Sequence, residues 1–170
     1  MPRCRGVSLV ELLVCLALLA ILLSTAAPSF SDLLARQRTE TAAHSLRSAL
    51  NLARETAVMT GQVVSIAAID GDWSAGWRVF HDRNNDGMRQ DDEHPLANQA
   101  AIEGVSIQAD RTSKRYIHFR ADGVSIQPSG AFHAGHLAVC GKGSKAYKLL
   151  INRSGRIRQE SAEPATLCLR

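Results

Sequence analysis

The sequence has 170 residues, of which 45% are hydrophobic, 21% charged and 5% aromatic. This length suits one domain of ordinary size, and near-average contents of 12 Gly and 5 Pro exclude collagen-like and low-complexity chains. The apolar content argues against disorder, and the net charge of +4 makes the surface only mildly basic. Much of the apolar content lies in the first 27 residues.

The first apolar segment is long enough to cross a membrane. It covers residues 7–27, which are 21 residues with one charged side chain, Glu11. As a helix rising ~1.5 Å per residue it would be about 31 Å long, which matches a bilayer core of ~30 Å. Arg3 and Arg5 precede it, which predicts a cytoplasmic N-terminus and an exported remainder.

Two simple explanations of this segment each leave a residue unexplained. A cleavable secretory signal has a shorter apolar core, of ~7–15 residues, and a cut after Ala27 would be followed by Pro28. A plain membrane span explains the length but not Glu11, because a carboxylate in hydrocarbon costs a few kcal/mol unless it finds a partner.

The motif Gly6-Val7-Ser8-Leu9-Val10-Glu11, followed by an unbroken apolar helix, resembles the class III signal of type IV pilins and pseudopilins. The resemblance implies that prepilin peptidase cuts after Gly6 and that Val7 becomes the methylated N-terminus. It also implies that Glu11, as the fifth mature residue, neutralises the terminal amine of a neighbouring subunit during filament assembly. Val7 departs from the Phe that the family prefers at the first mature position.

A second helical pattern follows the apolar segment over residues 28–61. Pro28 lacks an N–H group, which predicts a kink or an interruption, so the chain forms either one helix of roughly 50 residues or two helices divided at Pro28. Gly61 is a natural end of the helix. Small and apolar residues recur at helical spacing and predict a face packed on a globular head: Ala42, Ala43, Leu46, Ala49, Leu50, Ala53 and Ala57.

From Gln62 onward the hydrophobic period shifts toward two, which is typical of strands. About seven strands are predicted, with no helical pattern after Gly61. These patterns predict an α+β fold, with a long N-terminal helix packed on an antiparallel β-sheet head. The resemblance to type IV pilins implies that this is the type IV pilin-like fold. The predicted organisation is a leader (1–6), a transmembrane helix (7–27), its amphipathic continuation (28–61) and a β-rich head (62–170). The predicted strands are 63–69, 77–81, 105–108, 116–120, 137–140, 147–151 and 156–158.

The pilin resemblance gives the four cysteines different fates. Cys4 would leave with the leader, and Cys15 would lie in the membrane helix as a small apolar residue. Cys140 and Cys168 would both lie in an exported head, where an oxidising periplasm favours a disulfide between them. Its loop of about 29 residues would stabilise the head by roughly 3–4 kcal/mol in the chain-entropy model.

An acidic segment over residues 82–93 has two interpretations. Asp82, Asn84, Asp86 and Glu93 follow the D-x-N-x-D-G-x5-E spacing of a calcium loop. A turn rich in Asn, Asp and Gly that joins two strands is the commoner meaning of such a segment. Similar segments follow a G-W-x-V-F strand in minor pilins, and residues 76–80 match that strand. The sequence leaves the bound metal unknown.

A basic run near the C-terminus has six Lys and Arg residues within residues 142–158 and no acidic residue. Such a cluster attracts phosphate backbones. Gly155-Arg156-Ile157-Arg158 resembles the G-R-x-R element that FimT-type minor pilins use to bind DNA. A solvated basic face is the competing interpretation. The candidate DNA-binding residues are Lys148, Arg153, Arg156 and Arg158.

Catalytic motifs are poor: the chain has no G-x-S-x-G elbow, and its six His residues are scattered. We therefore expect no enzyme activity and no cofactor. The chain resembles minor pilins and pseudopilins of the GspH/FimT/FimU group. That resemblance implies a single-pass protein of the inner membrane with a periplasmic head, which then joins a filament of other pilins. The implied function is a minor pilin that primes or joins the tip of a type IV pilus, and the alternative is a pseudopilin of type II secretion.

Overall fold

The computed structural model describes residues 9–127, 129–142 and 145–168. The first element, α1, is a single helix over Leu9–Thr60, 52 residues long, so the structure has the one long helix rather than two helices divided at Pro28. Proline removes one backbone hydrogen bond, which the neighbouring turns of a helix can tolerate. The chain forms two compact units, one ending at Leu34 and the other beginning at Ala35.

The described part of the first unit is helical and apolar. Large hydrophobic side chains from Leu9 to Leu23 are more than half exposed. By length and composition alone, α1 can cross a membrane in this region. Gly6 and Val7 lie outside the described residues.

The second unit is built on the small-residue face of α1. All seven residues predicted to form this face are buried, from Ala42 to Ala57. Five of these seven residues are alanine, and together with Leu46 and Leu50 they share one buried hydrophobic cluster with residues of the strands. The helix ends where Gly61 takes a positive φ of 69° and donates its N–H to the carbonyl of Ala57.

Nine strands and one short helix follow α1 in the described residues. All strand pairs are antiparallel, which confirms the predicted α+β fold. The elements are β1 (Val64–Ile69), β2 (Asp72–His81), β3 (Pro95–Ala100), β4 (Val105–Ala109), β5 (Tyr116–Phe119), β6 (Ser125–Ile126), β7 (Gly135–Gly141), β8 (Ala146–Ile151), β9 (Ile157–Ala162) and α2 (Pro164–Leu167).

The strands form two sheets that share one core with α1. The first sheet has the order β3-β2-β1-β5-β6 and the second has the order β4-β7-β8-β9. The inward side chains of both sheets, including Ile66, Phe119 and Leu149, join the buried helix face in one hydrophobic cluster. The sheets also meet through Ser74 on β2, whose Oγ accepts the N–H of Ile107 on β4 at 2.9 Å.

The sequence-based expectation was wrong on three elements. Strand β3 has a polar sequence that begins with proline, and it lies at a sheet edge where one side has no pairing to satisfy. Strand β6 has only two residues, too few for a period to be read. Helix α2 has four residues and begins at Pro164, so it also escapes a search for helical periodicity.

Substitution of Gly76 tests how closely β2 and β3 pack at this position. Its φ is +119°, and a Cβ there would overlap the carbonyl oxygen of Gln99. We expect Gly76→Ala to lower the free energy of unfolding by about 3 kcal/mol, combining backbone strain with overpacking. Gly71→Ala is the matched control, because Gly71 also has a positive φ but a Cβ added there would meet no atom within 4 Å. That control should cost only about 1–2 kcal/mol. Equal losses in thermal unfolding would contradict the packing explanation.

Candidate functional site

The N-terminal site of the sequence analysis lies at the start of the described helix. Glu11 lies in the first turn of α1 and is exposed, among exposed apolar residues on every side of the helix. Cys15, one turn further, is a free and exposed cysteine. A helix surface of apolar side chains around a carboxylate is typical of a segment that packs in an apolar medium.

A hairpin turn over residues 152–156 joins β8 to β9, and the side chain of Asn152 holds it. The Oδ1 atom of Asn152 accepts the N–H groups of Ser154 at 3.1 Å and Arg156 at 2.9 Å. Gly155 has a φ of +73° and lies against the carbonyl of Gly123, where a side chain would not fit. The turn is therefore fixed against the head, and its exposed side chains project into solvent.

One acidic residue, Glu160, compensates part of the positive charge of the basic run once the chain is folded. Arg158 forms an ion pair with Glu160, two residues further along β9, and Lys148 lies opposite Glu160 on β8. Arg153 and Arg156 are exposed, and neither forms an ion pair within the described residues. Ile157 between the two arginines is buried in the core, as the alternation predicts. The tip of the hairpin therefore carries two positive charges without an ion pair among the described residues.

The acidic segment forms the connection between β2 and β3, and its oxygens are used inside the loop. Asp82 accepts the N–H groups of Asp86 at 3.2 Å and Gly87 at 2.9 Å. Glu93 accepts those of Arg83 at 2.9 Å and Gln90 at 3.0 Å. These bonds fold the loop backbone around buried carboxylates, which is the function of a structured turn.

The remaining candidate calcium ligands are engaged in the same way. Asp86 accepts the N–H of Met88 at 2.7 Å, and the side-chain amides of Asn84 and Gln90 at 2.8 Å each. The described residues contain no group of three or more His, Cys, Asp or Glu placed to hold a metal ion. The geometry therefore favours the turn over the calcium loop.

A buried polar trio anchors this loop to the first sheet, and the sequence analysis missed it. Ser65 on β1 donates its hydroxyl hydrogen to Oδ2 of Asp82 at 2.7 Å. Nδ1 of His118 on β5 lies within hydrogen-bond distance of the Ser65 Oγ and 3.2 Å from the same Asp82 oxygen. Ser65, Asp82 and His118 are each no more than 1% exposed. Their pairing follows from strand register, because Ser65 lies opposite His118.

The trio contains the residue types of a serine hydrolase triad but not its geometry. In a hydrolase, serine binds Nε2 of the imidazole, which accepts the serine proton, and an ionised aspartate binds Nδ1–H and orients the ring. Here both Ser65 and Asp82 meet Nδ1, and Nε2 has no hydrogen-bond partner within the described residues. Burial also denies a substrate access to Ser65. The trio holds the loop on the sheet rather than performing catalysis.

The protonation of Asp82 depends on these contacts. Burial alone would raise the pKa of Asp82, but hydrogen bonds from His118, Ser65 and Gly87 outweigh it and lower that pKa below its usual value. A carboxylate stabilised in this way contributes to folding only while it is ionised.

A disulfide ties the C-terminal segment to the second sheet. Cys140 on β7 and Cys168, just after α2, are bonded, with their Cα atoms 6.0 Å apart and 28 residues apart in sequence. The bond lies in a small apolar cluster with Ala138, Ala146 and Leu167 on the outer face of that sheet. Because α2 has only four residues and buries none of them, the disulfide is its main attachment.

Comparison with known proteins identifies both parts of the chain. Residues 42–155 match the family model described as type II transport protein GspH. Residues 1–27, which include Gly6, Val7 and Glu11, match the prokaryotic N-terminal methylation motif. No curated protein matches the sequence.

Two kinds of solved structure resemble the fold. The type IV minor pilin FimU of Pseudomonas aeruginosa (strain PAO1) is 25% identical, with a TM-score of 0.60, over 74% of this chain and 90% of that one. A second crystal form of FimU gives a TM-score of 0.56 over 71% and 91% of the two chains, also at 25% identity. The minor pseudopilin EpsH from the type 2 secretion system of Vibrio cholerae is 15% identical, with a TM-score of 0.54, over 73% and 97%. At that identity the EpsH similarity concerns the fold alone.

Acidification tests the buried Asp82. The pKa of Asp82 is lower in the folded than in the unfolded chain. The ionised carboxylate therefore contributes fully to stability above about pH 4, and this contribution is lost as the pH falls through the pKa of Asp82 in the folded chain. We expect Asp82→Asn to lower the free energy of unfolding by about 2–3 kcal/mol at neutral pH. The difference from wild type should shrink in acid. Denaturant unfolding across pH measures this.

The matched control for that experiment is Asp91→Asn, an exposed position of the same loop. It should change the free energy of unfolding by less than about 0.5 kcal/mol at every pH. A constant difference between wild type and Asp82→Asn down to acid pH would contradict the account of the trio.

Proposed function

The chain belongs to the GspH family of minor pilins and pseudopilins, and within it we propose that this protein is a minor subunit of a type IV pilus. The observation that supports the pilus is the similarity to the type IV minor pilin FimU, at 25% identity over 90% of that chain. The similarity to the secretion-system protein EpsH is weaker, at 15% identity. A GspH-type pseudopilin of type II secretion is the alternative function, and the family description itself supports it.

The sequence and fold together support a route into the filament. Prepilin peptidase removes residues 1–6 after Gly6, and Val7 receives a methyl group, because the methylation motif covers this region. Residues 7–27 anchor the subunit in the inner membrane, residues 28–61 continue the helix, and the head from residue 62 to 170 lies in the periplasm. The subunit then joins other pilins through its helix, at or near the filament tip.

Glu11 is the residue that we assign to assembly. A carboxylate inside an apolar helical bundle is stabilised by a nearby positive charge. The free amine of Val7 on a neighbouring subunit supplies such a charge once the leader is removed. The pairing would favour insertion of a processed subunit over an unprocessed one, because only the processed chain presents the amine.

The second part of the proposal concerns DNA. The hairpin turn at residues 152–156 presents exposed Arg153 and Arg156, with Arg158 and Lys148 beside them on the strands. Guanidinium groups bind phosphate oxygens in two-pronged pairs, so this tip suits a DNA backbone. A pilus subunit with this surface would contact DNA during uptake.

Substitution of Glu11 tests assembly. We expect Glu11→Val to leave the subunit in the membrane and to lower its recovery in sheared filaments by at least about tenfold, the effect of losing ~1.4 kcal/mol of pairing. Glu11→Asp retains the charge and should recover part of the loss, and Leu12→Val is the neutral control. Immunoblots of filament and membrane fractions measure both pools. Normal recovery of Glu11→Val in filaments would refute the assigned role.

Substitution of the hairpin arginines tests DNA contact. We expect Arg156→Gln with Arg158→Gln to weaken binding of duplex DNA and to reduce the slope of log affinity against log salt by about one to two, since each phosphate contact contributes ~0.9. The control is Arg36→Gln with Arg38→Gln, which removes the same charge from exposed positions on α1. Fluorescence anisotropy of the full chain in nonionic detergent measures affinity. An unchanged slope in the hairpin variant would leave it as a solvated basic face.

A further inference from the structure

The second sheet brings another basic segment to the same end of the head as the hairpin. Asp110, just past β4, donates its N–H to the carbonyl of His136 on β7. His136 lies opposite Leu150 on β8, and Leu150 lies opposite Arg158 on β9. The residues that follow Asp110 and the residues that precede Arg158 therefore leave the sheet from one end.

The segment after Asp110 is a basic loop over residues 111–115, which we name the 111–115 loop. Arg111, Lys114 and Arg115 are exposed, and none of them forms an ion pair within the described residues. Together with Gln127 and His133 they line an open concavity of about 300 Å³. The loop thus has three uncompensated cations around a recess that also contains amide and hydroxyl donors.

Hydrogen bonds fix the backbone of this loop, so its three positively charged side chains extend from fixed positions. Nε1 of Trp73 donates to the carbonyls of Ser113 at 2.9 Å and Lys114 at 3.1 Å. Oδ1 of Asp110 accepts the N–H of Ser113 at 2.8 Å, and the Ser113 Oγ lies 3.0 Å from Nε2 of buried His133. The nearest carboxylate, Asp110, is thereby directed at backbone N–H groups and at His136 rather than at the loop's own cations.

We propose that the 111–115 loop is a second contact for the same DNA that binds the hairpin, and that it binds the phosphate backbone. This inference rests on the DNA binding proposed above. Asp110 and Arg158 are three strand spacings apart, which is roughly 15 Å. That span equals about four phosphate steps of one DNA strand, at ~3.4 Å of rise each. One duplex can therefore reach both segments across the end of the sheet.

The chemistry of the loop favours backbone contact over base reading. Its charged groups are flexible cations, and the aromatic residue next to them, Tyr116, is half-buried with its ring 4.5 Å from that of His118. Among the described residues that line the recess, Tyr116 is half-buried and His133 is buried, so neither ring presents an open face on which a base could stack. Binding should accordingly be strongly dependent on salt and only weakly dependent on DNA sequence.

The test compares two triple variants of the full chain in nonionic detergent by fluorescence anisotropy with labelled duplex DNA. The loop variant is Arg111→Gln, Lys114→Gln, Arg115→Gln, and the control is Arg36→Gln, Arg38→Gln, Arg47→Gln, which removes three exposed charges from α1. We expect the loop variant to lose at least about tenfold in affinity and to lower the salt slope by about two to three. The control should retain the wild-type slope.

Two outcomes separate this inference from the proposal on which it rests. A loop variant with wild-type affinity and slope, beside a hairpin variant that has lost both, overturns the inference and leaves the hairpin site standing. Wild-type protein that fails to bind DNA at low salt overturns both this inference and the proposed DNA binding of the hairpin.

If the triple variant unfolds at a lower temperature than wild type, Lys114→Glu replaces it, because Lys114 holds the loop through its backbone carbonyl only. The charge reversal at Lys114 should then lower the affinity for DNA more than Arg38→Glu does.

Discussion

The head depends on one packing constraint, which is that two sheets must bury a helix face made mainly of alanine. Seven residues of this face, from Ala42 to Ala57, are buried, and they share one apolar cluster with inward residues of both sheets. A larger side chain at an alanine of this face would push the strands away and open voids that cost stability. Because the face has helical period, it also fixes which side of α1 carries the head.

The same helix has a different chemistry before Leu34. There the large apolar side chains are exposed on all sides, and Glu11 is the acidic residue of its first turn. A helix that is apolar all round is suited to a membrane or to a bundle of similar helices rather than to water. The matches to the GspH family and to the N-terminal methylation motif suggest both environments, a membrane and an assembly of pilin subunits. In the proposed function, α1 thus contains both the membrane anchor and the face on which the head packs.

Periodic features of the fold could be predicted from the sequence, and features that depend on register could not. The buried face of α1 and the stronger strands follow from regular spacing of apolar residues. Strand β3 is polar and lies at an edge, so its sequence has no such spacing. The trio of Ser65, Asp82 and His118 joins two strands and a loop, and only the pairing of β1 with β5 brings it together. Arg158 forms an ion pair with Glu160. Glu160 lies just after residues 142–158, the run without acidic residues, so that run alone did not predict the ion pair.

The proposed assembly depends most on processing of the N-terminus, because we propose that the helix enters a filament only after residues 1–6 are removed. Mass spectrometry of the intact protein, purified from cells with an active prepilin peptidase, tests this directly. The account predicts a chain that begins at Val7 and carries one methyl group on its terminal amine. A chain that retains residues 1–6 would contradict it and would leave a membrane-tethered domain with no route into a filament.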